Sequence, residues 1–292
     1  MPDQPTQGSR VSTVLGRKLG GELLRLRTGA GLTQGQAASA ITASTGKVAK
    51  MESGWVPMRE PDIRTLCRLY GVSDPSVVGG LLELARVDRE RRKAKGGWSD
   101  FPELGEMQEY VALESVATSV RTWQLSLVPG LLQIPDYARA LALGNSTEGH
   151  PDKGERFVAA RVARQRRLFE EPVLTLWAVI HEGALRHHVG GRDVMRAQLA
   201  HLDHVADQPH ITVQVLPFTA GAHLGMNGAF NVISFTEPGA MDVVYTETAF
   251  GELWVEGGEE AAQHQNLFER ISQKALTELE SRTFINGLRE EM

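Results

Sequence analysis

The chain is 292 residues long, 41% hydrophobic and 23% charged, and its 30 glycines follow no period. This composition excludes collagen-like and low-complexity chains. The single cysteine, Cys67, excludes an intrachain disulfide, and no window approaches the roughly 18 apolar residues of a membrane span. The formal net charge of −5 hides an asymmetry. Residues 1–96 hold 16 Lys and Arg against 9 Asp and Glu, and residues 97–292 hold 15 against 27, so a head of +7 precedes a body of −12. That is the distribution expected of a DNA-binding head on a body that does not bind DNA, although a solvated helical surface rich in lysine and arginine would give the same sum.

In chain order, MPDQPTQGSR lacks the apolar run of a secretory leader and reads as a short disordered lead-in. Apolar residues at helical spacing, Leu15, Leu19 and Leu23 among them, predict a helix from about Val11 to Arg27, ended by Gly29 and Gly31. Thr33 and Ser44 are expected N-caps of two short helices. The first faces inward with Ala37, Ala38 and Ile41, the second with Val48 and Met51. A fourth helix is predicted from Pro61 to Gly71, and a fifth from Asp74-Pro75 to Val87. Five helices without a strand pattern predict an all-α unit over 11–90.

The charged run that ends in Gly96-Gly97 is expected to be a linker over 91–97. Beyond it, 98–285 should form an α+β domain with a mainly antiparallel sheet. Helical patterns cover about 103–121, 135–143, 155–170 and 192–206. Strand-like stretches cover Val173–Ile180, Ile211–Leu216, Ala229–Phe235, Asp242–Thr248 and Glu252–Val255, the last three close enough for hairpins, and a closing helix covers about 258–280.

The stretch Gly31–Gly54 carries the sharpest signal. Two short helices that cross at a wide angle need a small residue where they pack, a role Ala38 fills. They also need apolar plugs from the second helix, supplied by Val48 and Met51. The second helix can then enter the major groove while the first crosses the backbone. Leu32-Thr33-Gln34, Ala37-Ala38, Lys47-Val48, Lys50 and Glu52-Ser53-Gly54 resemble the helix-turn-helix of the Xre (Cro and phage-repressor) family. Two residues depart from that pattern. Thr42 stands where the turn usually has glycine, so either the turn is distorted or the threonine adopts an unfavoured conformation. Gly46 lies inside the second helix, where it costs about 1 kcal/mol relative to alanine unless it permits close approach to DNA.

The resemblance implies a DNA-binding set of Thr33, Gln34, Ser44, Thr45, Gly46, Lys47 and Lys50. Gln34 matches the family's phosphate anchor. Ser44, Thr45 and Lys47 stand at the leading end of the recognition helix, with Lys50 one turn on. Glu52 is expected to brace the domain, because a carboxylate beside phosphate is repelled. An all-α protein-binding module with the same fold is the alternative.

The second half also resembles a known group. Tyr110-Val-Ala-Leu-Glu, Arg121-Thr-Trp, Leu127-Val-Pro-Gly-Leu-Leu-Gln133, Arg161-Val-Ala-Arg-Gln165 and Val213-Gln-Val-Leu-Pro217 are similar to actinobacterial regulators that pair an Xre head with a C-terminal domain of unknown function. That resemblance implies an antitoxin-like, autoregulatory transcriptional regulator that binds a small partner protein. A small-ligand sensor and a pure dimerisation domain are the alternatives for the body. Leu127–Gln133 either lines a pocket or packs in the core, and Trp123, Tyr137 and Trp177 are expected core aromatics with a polar edge. A homodimer is expected, since one recognition helix reads few bases.

All nine histidines follow residue 149, yet His181-Glu-Gly-Ala-Leu-Arg-His187-His188 has the wrong spacing for a zinc-protease helix, and His201 and His204 lack a third ligand. No metal or cofactor is expected. No nucleophile elbow, phosphate loop or dinucleotide fingerprint is present, so no catalytic role is expected, and the lone thiol fits a cytoplasmic location.

Overall fold

The computed structural model describes residues 13–96, 98, 101, 104, 107–145, 151–235, 242–248, 251–256 and 258–292. The expected lead-in over the first ten residues lies outside them. The described residues separate into two compact units, one through Gly96 and one from Trp98.

The N-terminal unit contains α1 (Val14–Gly29), α2 (Gln34–Ala40), α3 (Thr45–Glu52), α4 (Glu60–Leu69) and α5 (Pro75–Gly96). Local chemistry sets their starts. Thr13 accepts the Gly16 amide hydrogen at 3.0 Å, Thr33 and Gln36 cap α2 reciprocally, and Ser44 Oγ accepts from the Lys47 amide at 3.1 Å. Pro61 sits in the first turn of α4. The inward faces of Leu19, Leu23, Ala38, Val48, Met51 and Ile63 merge into one core.

Helix α3 is held by backbone proximity and by one buried ion pair. A methyl group on Gly20 of α1 would lie 2.3 Å from the Glu52 carbonyl oxygen, so only glycine lets α1 and α3 approach this closely. Gly54 adopts φ +75° just beyond the end of α3, and a side chain there would meet the Arg17 amide nitrogen at 2.4 Å. The Glu52 carboxylate receives Arg27 Nε at 2.6 Å, Arg27 Nη2 at 3.0 Å and Gln34 Nε2 at 2.8 Å, which ties α1, α2 and α3 to one buried group. Glu52 is the brace that the sequence predicts.

The helix-turn-helix bend keeps its form in spite of Thr42. Ala43 donates to the Ala38 carbonyl at 2.9 Å, and Thr42 takes φ +52°, the left-handed region. Among the described residues it is the single non-glycine there. The backbone geometry prevails and the β-branched side chain carries the strain.

Helix α5 corrects the expected linker. The charged run is helical through Gly96, so 91–96 are helix and only Gly97 lies outside the described residues. Arg92, one turn after Asp88, donates to its carboxylate at 2.8 Å, to the Gly54 carbonyl at 2.7 Å and to Thr13 Oγ1 at 3.0 Å. Thr13 also bonds the buried Asp88 carboxylate. A run that looks solvated in sequence is anchored by its one buried acid.

The C-terminal unit is built on a six-stranded sheet of order β3-β2-β1-β4-β5-β6. Its elements are α6 (Gln108–Val116), β1 (Ser119–Gln124), α7 (Pro135–Asn145), α8 (Pro151–Gln165), β2 (Thr175–His181), α9 (Glu182–Arg186), α10 (Arg192–Val205), β3 (Ile211–Leu216), β4 (Phe230–Ser234), β5 (Val243–Thr248), β6 (Gly251–Glu256), α11 (Gly258–Ser272) and α12 (Glu278–Glu291). The pairs β1–β4, β4–β5 and β5–β6 are antiparallel, whereas β1–β2 and β2–β3 are parallel. The sheet is mixed and mainly antiparallel, as expected. One face packs on Tyr110, Leu132, Leu199 and Ile285, the other on Ala261, Phe268 and Ile271 of α11.

Two helical expectations are overturned. The helix predicted over 103–121 stops at Val116, and 119–124 form β1, a central strand whose alternation places Val120 and Thr122 on one face and Trp123 on the other. The closing helix is two helices, because Thr277 starts α12 with a capping box to Glu280. The expected aromatics hold. Trp123 is buried with Nε1 donating to Gly225 O at 2.9 Å, and the Tyr137 hydroxyl accepts from Val128 N at 3.1 Å. Trp177 is half-buried and donates to Gln214 Oε1 at 2.7 Å.

Two measurements test these devices, both by hydrogen exchange at the Val48 and Met51 amides of the intact protein. Glu52→Ala leaves Arg27 buried and unpaired and should lower their opening free energy by about 3–5 kcal/mol. Thr42→Gly relieves the positive-φ strain and should raise it by about 1 kcal/mol.

Candidate nucleic-acid interface

The N-cap of α3 turns its leading end outward. Ser44, Thr45 and Gly46 are exposed, Lys50 is exposed one turn on, and Val48 and Met51 fill the core behind them. The outward face continues through Ala49 and Ser53, so it carries small side chains beside two lysines. Lys50 has no hydrogen-bond or ion-pair partner among the described residues.

Lys47 is only half-buried, and its ammonium lies 3.7 Å from Asp62 of α4. Asp62 is buried and also receives Arg59 Nε at 3.1 Å and Arg59 Nη2 at 3.0 Å. One carboxylate thus holds two cations beside the leading end of α3. At this separation and exposure, the Lys47 contact is worth at most about 1 kcal/mol, so a phosphate can displace it.

Gln34, the residue that matches a phosphate anchor, is half-buried and donates one amide hydrogen to Glu52 at 2.8 Å. A side-chain amide carries two, and the second has no partner among the described residues. Glu52 therefore orients the group. Thr33 is exposed but serves as the α2 cap, its hydroxyl receiving the Gln36 amide at 3.3 Å.

The structure brings Ser44, Thr45, Gly46, Lys47 and Lys50 onto one short helix and its cap, with Thr33 and Gln34 at the start of the preceding helix. Sequence reasoning missed Arg27, Arg59 and Asp62, the side chains that position Gln34 and Lys47. For Asp62 the signal was available, since it is an acid in the first turn of a Pro-started helix. Arg27 gave none, because its partner lies 25 residues away.

Gly46 needs no space of its own within this unit. A methyl group there would meet nothing nearer than Ser44 Oγ at 4.0 Å. Its glycine identity therefore has no reason inside the described residues of the chain.

The histidines follow their sequence spacing. His181 ends β2 and caps the five-residue α9 by accepting the Gly183 amide at 3.2 Å, while His187 and His188 are exposed beyond it. Burial holds His181 and His223 below the usual imidazole range. Among the described residues, no group of three or more His, Cys, Asp or Glu side chains could hold a metal, and no helix is long and apolar enough to cross a membrane.

Residues 18–78 match a family model described as a helix-turn-helix domain, which marks the chain as a DNA-binding regulator. No curated protein and no solved structure matches the chain. Residues 107–287, more than half of the chain, match the model described as Domain of unknown function (DUF5753), and the chain belongs to that family.

Proposed function

We propose that the chain is a cytoplasmic transcriptional regulator of the Xre type that reads a specific duplex sequence as a homodimer, one α3 helix per half-site. The observation that carries this reading is the outward face of α3. An N-capped helix end presents Ser44, Thr45 and Gly46 ahead of Lys47 and Lys50, and Ser44, Thr45, Gly46 and Lys50 are exposed among the described residues. In this reading Thr45 and Lys47 reach base edges, while Ser44, Lys50, Thr33 and the free amide hydrogen of Gln34 meet phosphates. Gly46 lets the sugar-phosphate wall or a base edge come close to the helix backbone.

For the C-terminal domain we propose an antitoxin-like role, in which it binds and neutralises a small protein encoded beside it. Support comes from the similarity of Tyr110–Glu114, Leu127–Gln133 and Arg161–Gln165 to actinobacterial regulators of that kind. Regulation of its own promoter follows from the pairing of such a body with a DNA-binding head, and no catalytic step is assigned to it. Mixing the chain with the product of the neighbouring gene should give a stable complex on size exclusion. Two separate peaks at micromolar concentrations of both would remove the partner from this reading.

A duplex selected from random sequence by the intact protein provides the assay for the head. Lys47→Ala with Lys50→Ala should abolish specific binding with little change in melting temperature. Against the same duplex, wild-type binding should weaken steeply with salt, and Lys50→Ala alone, which loses one phosphate contact, should reduce the log–log slope by about 1 per protomer. Gly46→Ala should stabilise α3 by about 1 kcal/mol yet weaken DNA binding. Unchanged DNA affinity in Gly46→Ala would show that DNA does not approach there.

A further inference from the structure

The C-terminal unit contains a cavity of about 220 Å³ between α6, α7, α8 and the sheet. An engineered cavity of about 150 Å³ is enough to accept benzene, so this space holds a ring with a substituent. Met107, Leu127, Leu141 and Phe157 supply an apolar wall, and Thr122, Gln124 and Asn231 supply a polar one from the strands.

The charges at its end do not balance. Arg164 is buried and bidentate to the equally buried Glu114, with Nε and Nη2 each 2.8 Å from a carboxylate oxygen, so that pair is neutral. Arg161, one turn earlier on α8, also lines the cavity and is 9% exposed. Its guanidinium stacks on Phe157 at 4.8 Å but makes no hydrogen bond or ion pair with any described residue. Glu247 lines the cavity from the exposed end of β5 without reaching it. Two buried atoms of cavity residues lack partners among the described residues: Arg164 Nη1, a donor, and Gln133 Oε1, an acceptor. Burial and the neighbouring Arg164 charge pull the Arg161 pKa down to about 9, against the smaller opposing pull of Glu114 and Glu247.

A buried cation left unpaired is costly, and a guanidinium offers a planar fork that matches a carboxylate. We propose that this cavity is a binding site for a small carboxylate with an apolar ring and a hydroxyl or N–H donor, its carboxylate on Arg161 and its donor toward Gln133. The proposal rests on the C-terminal unit alone and holds whether or not the N-terminal unit binds DNA. Gly130 is part of the site. A methyl group there would lie 2.1 Å from Arg161 Nη1, so glycine is what gives the guanidinium its place.

The test is calorimetric titration of the full chain with 4-hydroxybenzoate, with neutral 4-hydroxybenzamide as the control. The acid should bind saturably, the amide at least about tenfold more weakly, and Arg161→Met should lose at least about tenfold in affinity for the acid. The ligand-free Arg161→Met protein should also melt above the wild type, because an unpaired buried charge is gone; a purely structural arginine would give a lower melting temperature. Leu141→Trp, which fills the cavity and keeps Arg161, should abolish binding and serves if the arginine variant does not fold. No saturable heat from the wild type up to about 10 mM acid, or equal binding of acid and amide, would overturn the site.

Discussion

The N-terminal unit depends on one buried carboxylate. Glu52 closes α3, and its oxygens accept from Arg27 of α1 and Gln34 of α2, so three helices converge on a single charge. Such a pair is a weak source of net stability, since desolvation offsets most of the attraction. Its effect is selective. Any other crossing of these helices strands an ion in the core, whereas an apolar plug at position 52 would tolerate several. The backbone adds the same constraint from the other side, because α1 meets the end of α3 at Gly20 and Gly54, where no side chain fits. The orientation of the exposed face of α3 follows from these two conditions.

What that face offers is small side chains beside two lysines, with Asp62 as a built-in counter-ion. The carboxylate keeps Lys47 near the leading end of α3 instead of loose in solvent, and Arg59 shares it. A loose pair at a helix end is suited to exchange. It limits the rotamers of the lysine, yet it is weak enough to yield to a phosphate. The basic excess of the first 96 residues then acts at longer range, drawing a polyanion to the unit, while the acidic body repels it.

Elements with a local cause were legible in the sequence. Thr33, Ser44 and Pro61 start helices by their own chemistry, and Ile211–Leu216 is a strand with the predicted ends. Errors arose where a distant partner decides. Ser119–Gln124 looks like the tail of a helix until β2 and β4 flank it, and residues 91–96 look like a linker until Arg92 meets Asp88 and Gly54. Thr42 shows a third case. Its departure from glycine was visible, but whether the turn or the residue would give way depended on the packing of both helices. Of the candidate interface, the residues that face outward were legible, whereas Arg27, Arg59 and Asp62, which hold them, lie in other helices.

The two units treat buried arginine in opposite ways. Every donor nitrogen of Arg27 is matched, Nε and Nη2 by Glu52 and Nη1 by the Leu32 carbonyl at 2.7 Å. Arg164 begins the same way with Glu114 but leaves Nη1 unmatched, and Arg161 beside it is matched by no described residue except the face of a ring. A satisfied network fixes a fold, since each partner removes freedom from the next. An unsatisfied one at the wall of a cavity does the reverse: the domain folds in spite of it, on the strength of apolar packing around Tyr110, Leu132 and Leu176. The energy withheld there is recovered only when an anion arrives, which is why an arginine that weakens the fold is better understood as part of a site than as part of the core.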